Sequence, residues 1–288
     1  LEDVMSIIVE NLSYIYMKGT PFEKKALSNV NLTIQDGEFI AIIGHTGSGK
    51  STLIQHFNGL LKPTEGKITV DGVDVAGKQL KDLRKMVGIV FQYPEYQLFE
   101  ETVYKDVAFA PLKQGLNEDE VKRRVYAAIN AVGLDESIME KSPFELSGGQ
   151  KRRVAIAGVL AMNPKFLILD EPTAGLDPRG RDEIYGFITE LHKNLGITVI
   201  LVSHNMEDVA RLVDRVIVMN RGTFDMDGKP SEIFKDAQKL ETIGLTVPQI
   251  THLMKRLKEK IPEINDRIFT VDEARDEIMR LLGRKTHD

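Results

Sequence analysis

The 288-residue chain has no cysteine, which removes disulfides, thiolate chemistry and zinc–thiolate centres from consideration and suits a reducing compartment. It has no apolar run approaching the ~20 residues that a membrane-spanning helix needs, and no charged-then-apolar leader pattern at its N-terminus. The chain itself is therefore expected to be soluble. It also lacks an excess of positive charge. The 38 Lys and Arg residues are outnumbered by 43 Asp and Glu, giving a net charge of -5, so no global basic field draws the chain to nucleic acid, which is not an expected partner. The four residues LEDV ahead of Met5 read as a vector-derived remnant, with MSIIVENLSY as the expected start.

The residues that are present suit an ordinary globular protein. Apolar residues make up 42% of the chain, enough for one large domain with a small appendage. From Ile7 to Ile43 short runs alternate apolar and polar residues, broken by turn formers at 18–21 and at Asp36-Gly37, which predicts a strand-rich, partly antiparallel start. FLILD (166–170) and TVILVSH (198–204) are instead continuous and rich in Val, Ile and Leu. Such runs suit strands covered on both faces of a parallel sheet, and the helical patterns between them predict an α/β core. Residues 101–162 carry no strong strand signal, so a helical subdomain is placed there, at about 95–162. After residue 240, Ile250, Leu253, Met254, Leu257 and Ile261 recur at helical spacing behind Pro248. Thr270 to Glu273 forms a capping-box pattern ahead of Ala274, Ile278, Leu281 and Leu282. Two amphipathic helices are expected, packed on their own domain or in contact with another subunit.

The densest chemical signal is GHTGSGKST: Gly44, His45, Thr46, Gly47, Ser48, Gly49, Lys50, Ser51 and Thr52. It matches G-x-x-x-x-G-K-[ST] and sits where that motif must sit, after the buried run FIAII and before a helical pattern. The glycines let successive backbone N–H groups turn towards anionic oxygens, and the helix N-terminus adds partial positive charge. Lys50 neutralises β- and γ-phosphates, and Ser51 supplies a hydroxyl for Mg²⁺. LILDEP (167–172) puts Asp170 and Glu171 at the end of a buried strand, the edge where α/β folds build ligand sites. Two adjacent carboxylates there call for a cation, so Asp170 is the expected Mg²⁺ partner and Glu171 the group that polarises an attacking water. ATP and Mg²⁺ are the expected ligands.

A second anion-binding pattern is LSGGQ, in which Ser147 can cap the next helix while Gly148 and Gly149 expose backbone N–H groups ahead of Gln150. One nucleotide does not need two such sites. The simple resolution is that the second serves the nucleotide of another copy, in a head-to-tail dimer with ATP at two interfaces.

With these motifs together, the chain resembles the ATPase subunit of an ABC transporter over residues 6 to about 236. The resemblance implies a P-loop NTPase ABC cassette: a mixed core sheet, an antiparallel β subdomain and a helical subdomain. It implies a nucleotide-binding domain at 5–236 and a small helical C-terminal domain at 237–288. It further implies that Gln92 in VFQYPE is the switch-loop glutamine linking Mg²⁺ to a membrane partner, that Asp177 in AGLDP forms a subunit-crossing turn, and that His204 in ILVSH contacts the γ-phosphate. Tyr16 resembles the aromatic residue that stacks on adenine, with Tyr14 as its competitor and a simple core tyrosine as the other reading. The cluster of Tyr93, Tyr96, Leu98 and Phe99 is expected either to floor a groove for a helix of the membrane subunit or to fill the subdomain's own core.

A narrower resemblance rests on GIVFQYPEYQLFEETVYKDVAF, on SPFELSGGQKRRVAIAG and on the length of the C-terminal extension. These are similar to the ATPases of energy-coupling-factor transporters, including the cobalt-importer subfamily. That resemblance implies two ATPase subunits, identical or paralogous, peripheral on the cytoplasmic face of the cell membrane. They would dock on a transmembrane coupling subunit, while a separate substrate-capture membrane subunit takes a vitamin or a transition-metal ion such as cobalt or nickel. The loop spelling GHTGSGKST and the insertion TPFEKK are closer to the second paralogue of heteromeric systems. The other reading, a soluble ABC-type ATPase acting on nucleic acid or ribosomes, requires a long coiled coil or two cassettes. Only 95 residues separate Lys50 from Leu146, without sustained heptads, and there is one cassette.

Overall fold

The computed structural model describes residues 6–78 and 80–285; the expected remnant at 1–4 lies outside the described residues. Two compact units divide the chain, one built from residues up to 38 together with 51–202, the other from 39–50 together with 203 onwards.

The first unit opens with a four-stranded antiparallel sheet in the order β2-β1-β4-β5: β1 (Ser6–Tyr16), β2 (Lys24–Gln35), β4 (Glu65–Val70) and β5 (Val73–Asp74). Alternate residues of β2 are buried from Val30 to Ile34, the period of a strand with one face on the core. The same unit contains a parallel trio in which β7 (Phe166–Asp170) lies between β6 (Val87–Val90) and β8 (Thr198–Val202), with Val90, Leu169 and Leu201 in register. Every residue of β6, β8 and the FLIL part of β7 is buried, as the unbroken aliphatic runs predict. Helices α1 (Lys50–Phe57) and α2 (Leu80–Met86) precede β6. Between β6 and β7 the chain is helical, with α3 (Val103–Lys113), α4 (Glu118–Ala131) and α5 (Gly148–Leu160) packed pairwise on one another. Helix α6 (Pro178–Leu195) starts with Pro at its first turn under an Asp177 cap and stops at Gly196, whose φ of 62° is the left-handed form that ends helices.

In the second unit β3 (Phe39–Ile43) runs parallel to β9 (Arg215–Asn220), which turns back into antiparallel β10 (Thr223–Gly228). Short helices α7 (Met206–Leu212), α8 (Pro230–Phe234) and α9 (Ala237–Thr242) lead to α10 (Gln249–Lys260) and α11 (Val271–Lys285). Met254, Ile264, Ile268 and Ala274 form a buried cluster flanked by Ile250, Leu257, Ile261, Ile278 and Leu281. The capping box ahead of α11 is present in both directions. Glu273 N–H donates to Thr270 Oγ1 at 3.3 Å, and Thr270 N–H donates to Glu273 Oε2 at 3.1 Å.

Candidate nucleotide site

In the second unit β3 delivers the chain into a tight loop. Ser48 N–H donates to the His45 carbonyl at 3.0 Å, and Gly222 N–H, in the turn between β9 and β10, donates to the Ser48 carbonyl at 2.8 Å. A Cβ placed on Gly44 would run into the Met219 carbonyl and the Ser48 hydroxyl, so glycine is a packing requirement there. Gly47 and Gly49 have φ values of 83° and 107°, backbone that other residues rarely adopt. Lys50 Nζ lies over this loop, donating to the Gly44 carbonyl at 2.6 Å and the His45 carbonyl at 3.2 Å. His45 Nε2 stands 3.3 Å from Asn220 Oδ1. Thr46 and Gly47 are exposed at the loop's tip, and Ser48 is buried at its base. The result is a glycine-shaped concavity with one ammonium in it, which fits polyphosphate. His204, in the same unit, is exposed just after β8.

In the first unit Ser51, one residue beyond Lys50, brings its Oγ within 3.5 Å of Asp170 Oδ2 at the C-terminal end of β7, across 119 residues of sequence. Among the described residues no group of three or more His, Cys, Asp and Glu converges as a metal cage. One hydroxyl and one carboxylate suit Mg²⁺, a hard cation that keeps several waters and completes its shell with substrate phosphate oxygens. Next to Asp170, Glu171 has a φ of 50° and is pinned by its N–H to the Val202 carbonyl at 2.9 Å. A left-handed glutamate ending a buried strand is uncommon, and such strain gathers at functional sites.

Tyr16, 37% exposed as a residue, ends β1 with its hydroxyl 3.1 Å from Thr52 Oγ1, next to the phosphate-loop serine. Tyr14 is more enclosed, in a T-shaped contact with Tyr16 with ring centroids 4.8 Å apart; burial, with the neighbouring Tyr16 phenol, pushes its pKa up. Gln92 is exposed in the bend after β6.

Ser147 caps α5 as expected. Its Oγ accepts from Gln150 N–H at 3.3 Å, and Gln150 Oε1 accepts from Ser147 N–H at 3.0 Å. A Cβ on Gly148 or Gly149 would meet nothing within 4 Å. Asp177 Oδ1 accepts from Gly180 N–H at 2.7 Å. Ser147, Gly149 and Gln150 line one cavity of about 380 Å³ with Asp177, Arg153 and Arg179, so LSGGQ and AGLDP share a surface.

The aromatic segment after Gln92 is not uniform. Tyr93, Tyr96 and Phe99 are exposed, but Leu98 is buried, because the 3-10 turn Pro94–Gln97 ends there in extended backbone. Two residues that sequence patterns passed over also matter. Arg152 is a buried anchor for Glu95, and His56 is fully buried beneath Tyr14. Neither contact has a local signal, since its partner lies 40 or more residues away.

An ABC transporter family model matches residues 27–174. The energy-coupling factor transporter ATP-binding protein EcfA2 of Acetivibrio thermocellus is 62% identical over 280 residues, spanning 97% of this chain and 100% of that protein. The protein of the same name from Clostridium tetani is 60% identical over 284 residues, spanning 98% and 99%. Among solved structures, cbiO1 from Clostridium perfringens, part of the ABC transporter complex cbiONQ, superposes with a TM-score of 0.74 at 44% identity over 88% of this chain and 99% of that one. The ATP-binding cassette MJ0796, a dimer in a post-hydrolysis state with ADP and Pi, gives a TM-score of 0.68 at 33% identity over 78% and 98%. With its phosphate loop, its Ser51–Asp170 pair and these relatives, the chain belongs to the ABC transporter family as an energy-coupling-factor ATP-binding protein, a P-loop cassette that hydrolyses ATP with Mg²⁺.

Proposed function

We propose that the chain works as one of two ATPase subunits that close head to tail on two ATP, peripheral on the cytoplasmic face of the membrane, and drive an importer of a vitamin or of cobalt or nickel ions. The observation that carries the two-chain reading is the open space over Gly148 and Gly149. Nothing in their own fold crowds these positions, and neither has a positive φ. Glycine there suits close approach by something outside the chain, and the capped N-terminus of α5 favours an anion.

The residue roles follow from chemistry. Backbone N–H groups from Gly44 to Thr52 and the Lys50 ammonium hold the β- and γ-phosphates, and Tyr16 stacks on adenine. Ser51 and Asp170, with Gln92, hold Mg²⁺, which when bound neutralises charge on the transferred phosphoryl group. Glu171 takes a proton from the attacking water, and His204 steadies the γ-phosphate. Ser147, Gly148, Gly149 and Gln150 complete the site of the other subunit, reached past Asp177.

The membrane contact is placed on the surface after Gln92. Tyr96 and Phe144, 84% and 68% exposed, border a depression of about 280 Å³ with Glu95, Leu98, Pro143 and Lys151. An apolar floor with polar edges fits an amphipathic helix of a membrane subunit. The region 237–288 is read as a C-terminal domain touching the second ATPase. Val271, Met279 and Leu282 are exposed apolar residues of α11, outside the cluster that its helices bury. Both cargo alternatives draw on the resemblance of the motifs to energy-coupling-factor and cobalt-importer ATPases.

Sedimentation of Glu171→Gln with and without Mg-ATP tests the two-chain reading, because ATP still binds when the water is no longer activated and the closed dimer accumulates. A variant that stays monomeric at saturating nucleotide, alone and with a paralogous ATPase, overturns it. Co-purification from membranes then names the partners, and uptake assays name the cargo.

A further inference from the structure

Four side chains of β1 and α1 form a closed ring of contacts. Tyr16 OH meets Thr52 Oγ1 at 3.1 Å. Tyr16 and Tyr14 meet edge to face at 4.8 Å and 90°, and Tyr14 meets the His56 ring at 4.8 Å and 80°. His56 Nδ1 closes the ring by donating to the Thr52 carbonyl at 2.7 Å. Thr52, the last residue of GHTGSGKST, is thus gripped at its hydroxyl by the tyrosine and at its carbonyl by the histidine. His56 is fully buried, and burial lowers its pKa from the ordinary histidine value, which favours the uncharged ring under Tyr14.

The ring fixes Tyr16 at two points, its hydroxyl and its T-shaped contact with Tyr14, and leaves part of the residue open to solvent. An aromatic face held in one orientation loses little freedom when a planar ligand stacks on it. The bend from Gly44 to Ser48 is instead contacted by the Met219 and Gly222 backbones, from β9 and the turn that follows it.

We infer that His56 is a positioning residue for the nucleobase: through Tyr14 and Thr52 it holds the Tyr16 ring in the pose that receives the adenine. This rests on the reading of Tyr16 as the base-stacking residue. It differs from a purely structural part, in which His56 would steady α1 and with it the phosphate loop.

Inorganic tripolyphosphate separates the two, because it loads the phosphate loop and has no base. Dissociation constants of Mg-ATP and Mg-tripolyphosphate are measured on the full chain and on His56→Ala, His56→Phe, Tyr14→Leu and Tyr16→Ala. Removing one aromatic contact of this kind is expected to weaken Mg-ATP about two- to tenfold in His56→Ala and Tyr14→Leu, with Mg-tripolyphosphate unchanged. His56→Phe, which keeps a ring edge for Tyr14, restores most of the ATP affinity. Equal weakening of both ligands, or of neither, in His56→Ala overturns the inference; if that variant does not fold, Tyr14→Leu decides in the same way. A Tyr16→Ala protein that keeps the full preference for ATP over tripolyphosphate overturns the reading of Tyr16 itself. Loss of that preference in Tyr16→Ala but not in the His56 and Tyr14 variants leaves that reading standing and removes only the inference.

Discussion

Arg152, in the helix that LSGGQ opens, holds Glu95 of the VFQYPE segment in a two-point ion pair, with Nη2 to Oε1 at 2.6 Å and Nε to Oε2 at 3.0 Å. The guanidinium is 2% exposed, and its Nη1 also donates to the Ala174 carbonyl at 2.7 Å and the Pro172 carbonyl at 3.3 Å. One side chain therefore ties together the segment after Gln92, the signature helix and the turn that follows Glu171. Removing Glu95 leaves a buried cation short of its counter-charge, and breaking such pairs costs about 3 kcal/mol. Glu95→Gln should lower the urea midpoint accordingly.

The pair also sets a pH dependence. Burial pushes the Glu95 carboxyl up, but the Arg152 hydrogen bond and charge more than reverse this, leaving its pKa below the ordinary 4.5. A carboxyl with a depressed folded pKa contributes stability above its unfolded pKa and loses it as pH falls through the folded value. Wild type and Glu95→Gln should therefore differ in unfolding free energy at neutral pH and approach each other as the pH falls below the ordinary glutamate value of 4.5 and through the lower folded one. A constant difference from neutral to acid pH would assign the loss to packing instead.

Lys50→Ala should abolish ATP turnover with little effect on the fold. The ammonium's hydrogen bonds to the Gly44 and His45 carbonyls are each worth about 1 kcal/mol at a partly solvated site. Turnover at the wild-type rate would contradict the role given to the phosphate loop.

Gly148→Ala and Gly149→Leu should melt near the wild-type temperature, since a Cβ at either position meets nothing within 4 Å. Both should nevertheless lose hydrolysis if another subunit's nucleotide approaches there. Ser147→Arg should block hydrolysis and spare ATP binding to the Lys50 loop, with about 1 kcal/mol lost from the removed cap. Full activity in the glycine variants would show that nothing comes close to this helix end.

A photo-crosslinker at position 97, beside Tyr96, should capture a membrane subunit in the assembled transporter. If only intrachain adducts form, Tyr93, Tyr96 and Phe99 belong to the chain's own surface.

Much of this was legible because it is local. FIAII, FLILD and TVILV announce strands by unbroken aliphatic residues, and each is buried apart from the terminal Asp170. The Thr270–Glu273 box and the Ser147 cap are four-residue patterns, and the backbone follows them. What stayed hidden depends on distance along the chain. Glu95 and Arg152 are 57 residues apart, and Tyr14 and His56 belong to different elements. The buried Leu98 in an otherwise exposed aromatic segment is decided by where a short turn ends. No residue pattern reports the φ of Glu171, because glutamate has no preference for that conformation.

That φ has a consequence for engineering. At 50° the backbone of position 171 suits asparagine or glycine better than glutamate, so the chain is held away from its stability optimum at the residue proposed to activate water. A directed-evolution campaign scored on melting temperature alone would be drawn to this position and would return hardier proteins that no longer turn over ATP. Thermostabilised versions of this transporter subunit should therefore be selected with position 171 held fixed.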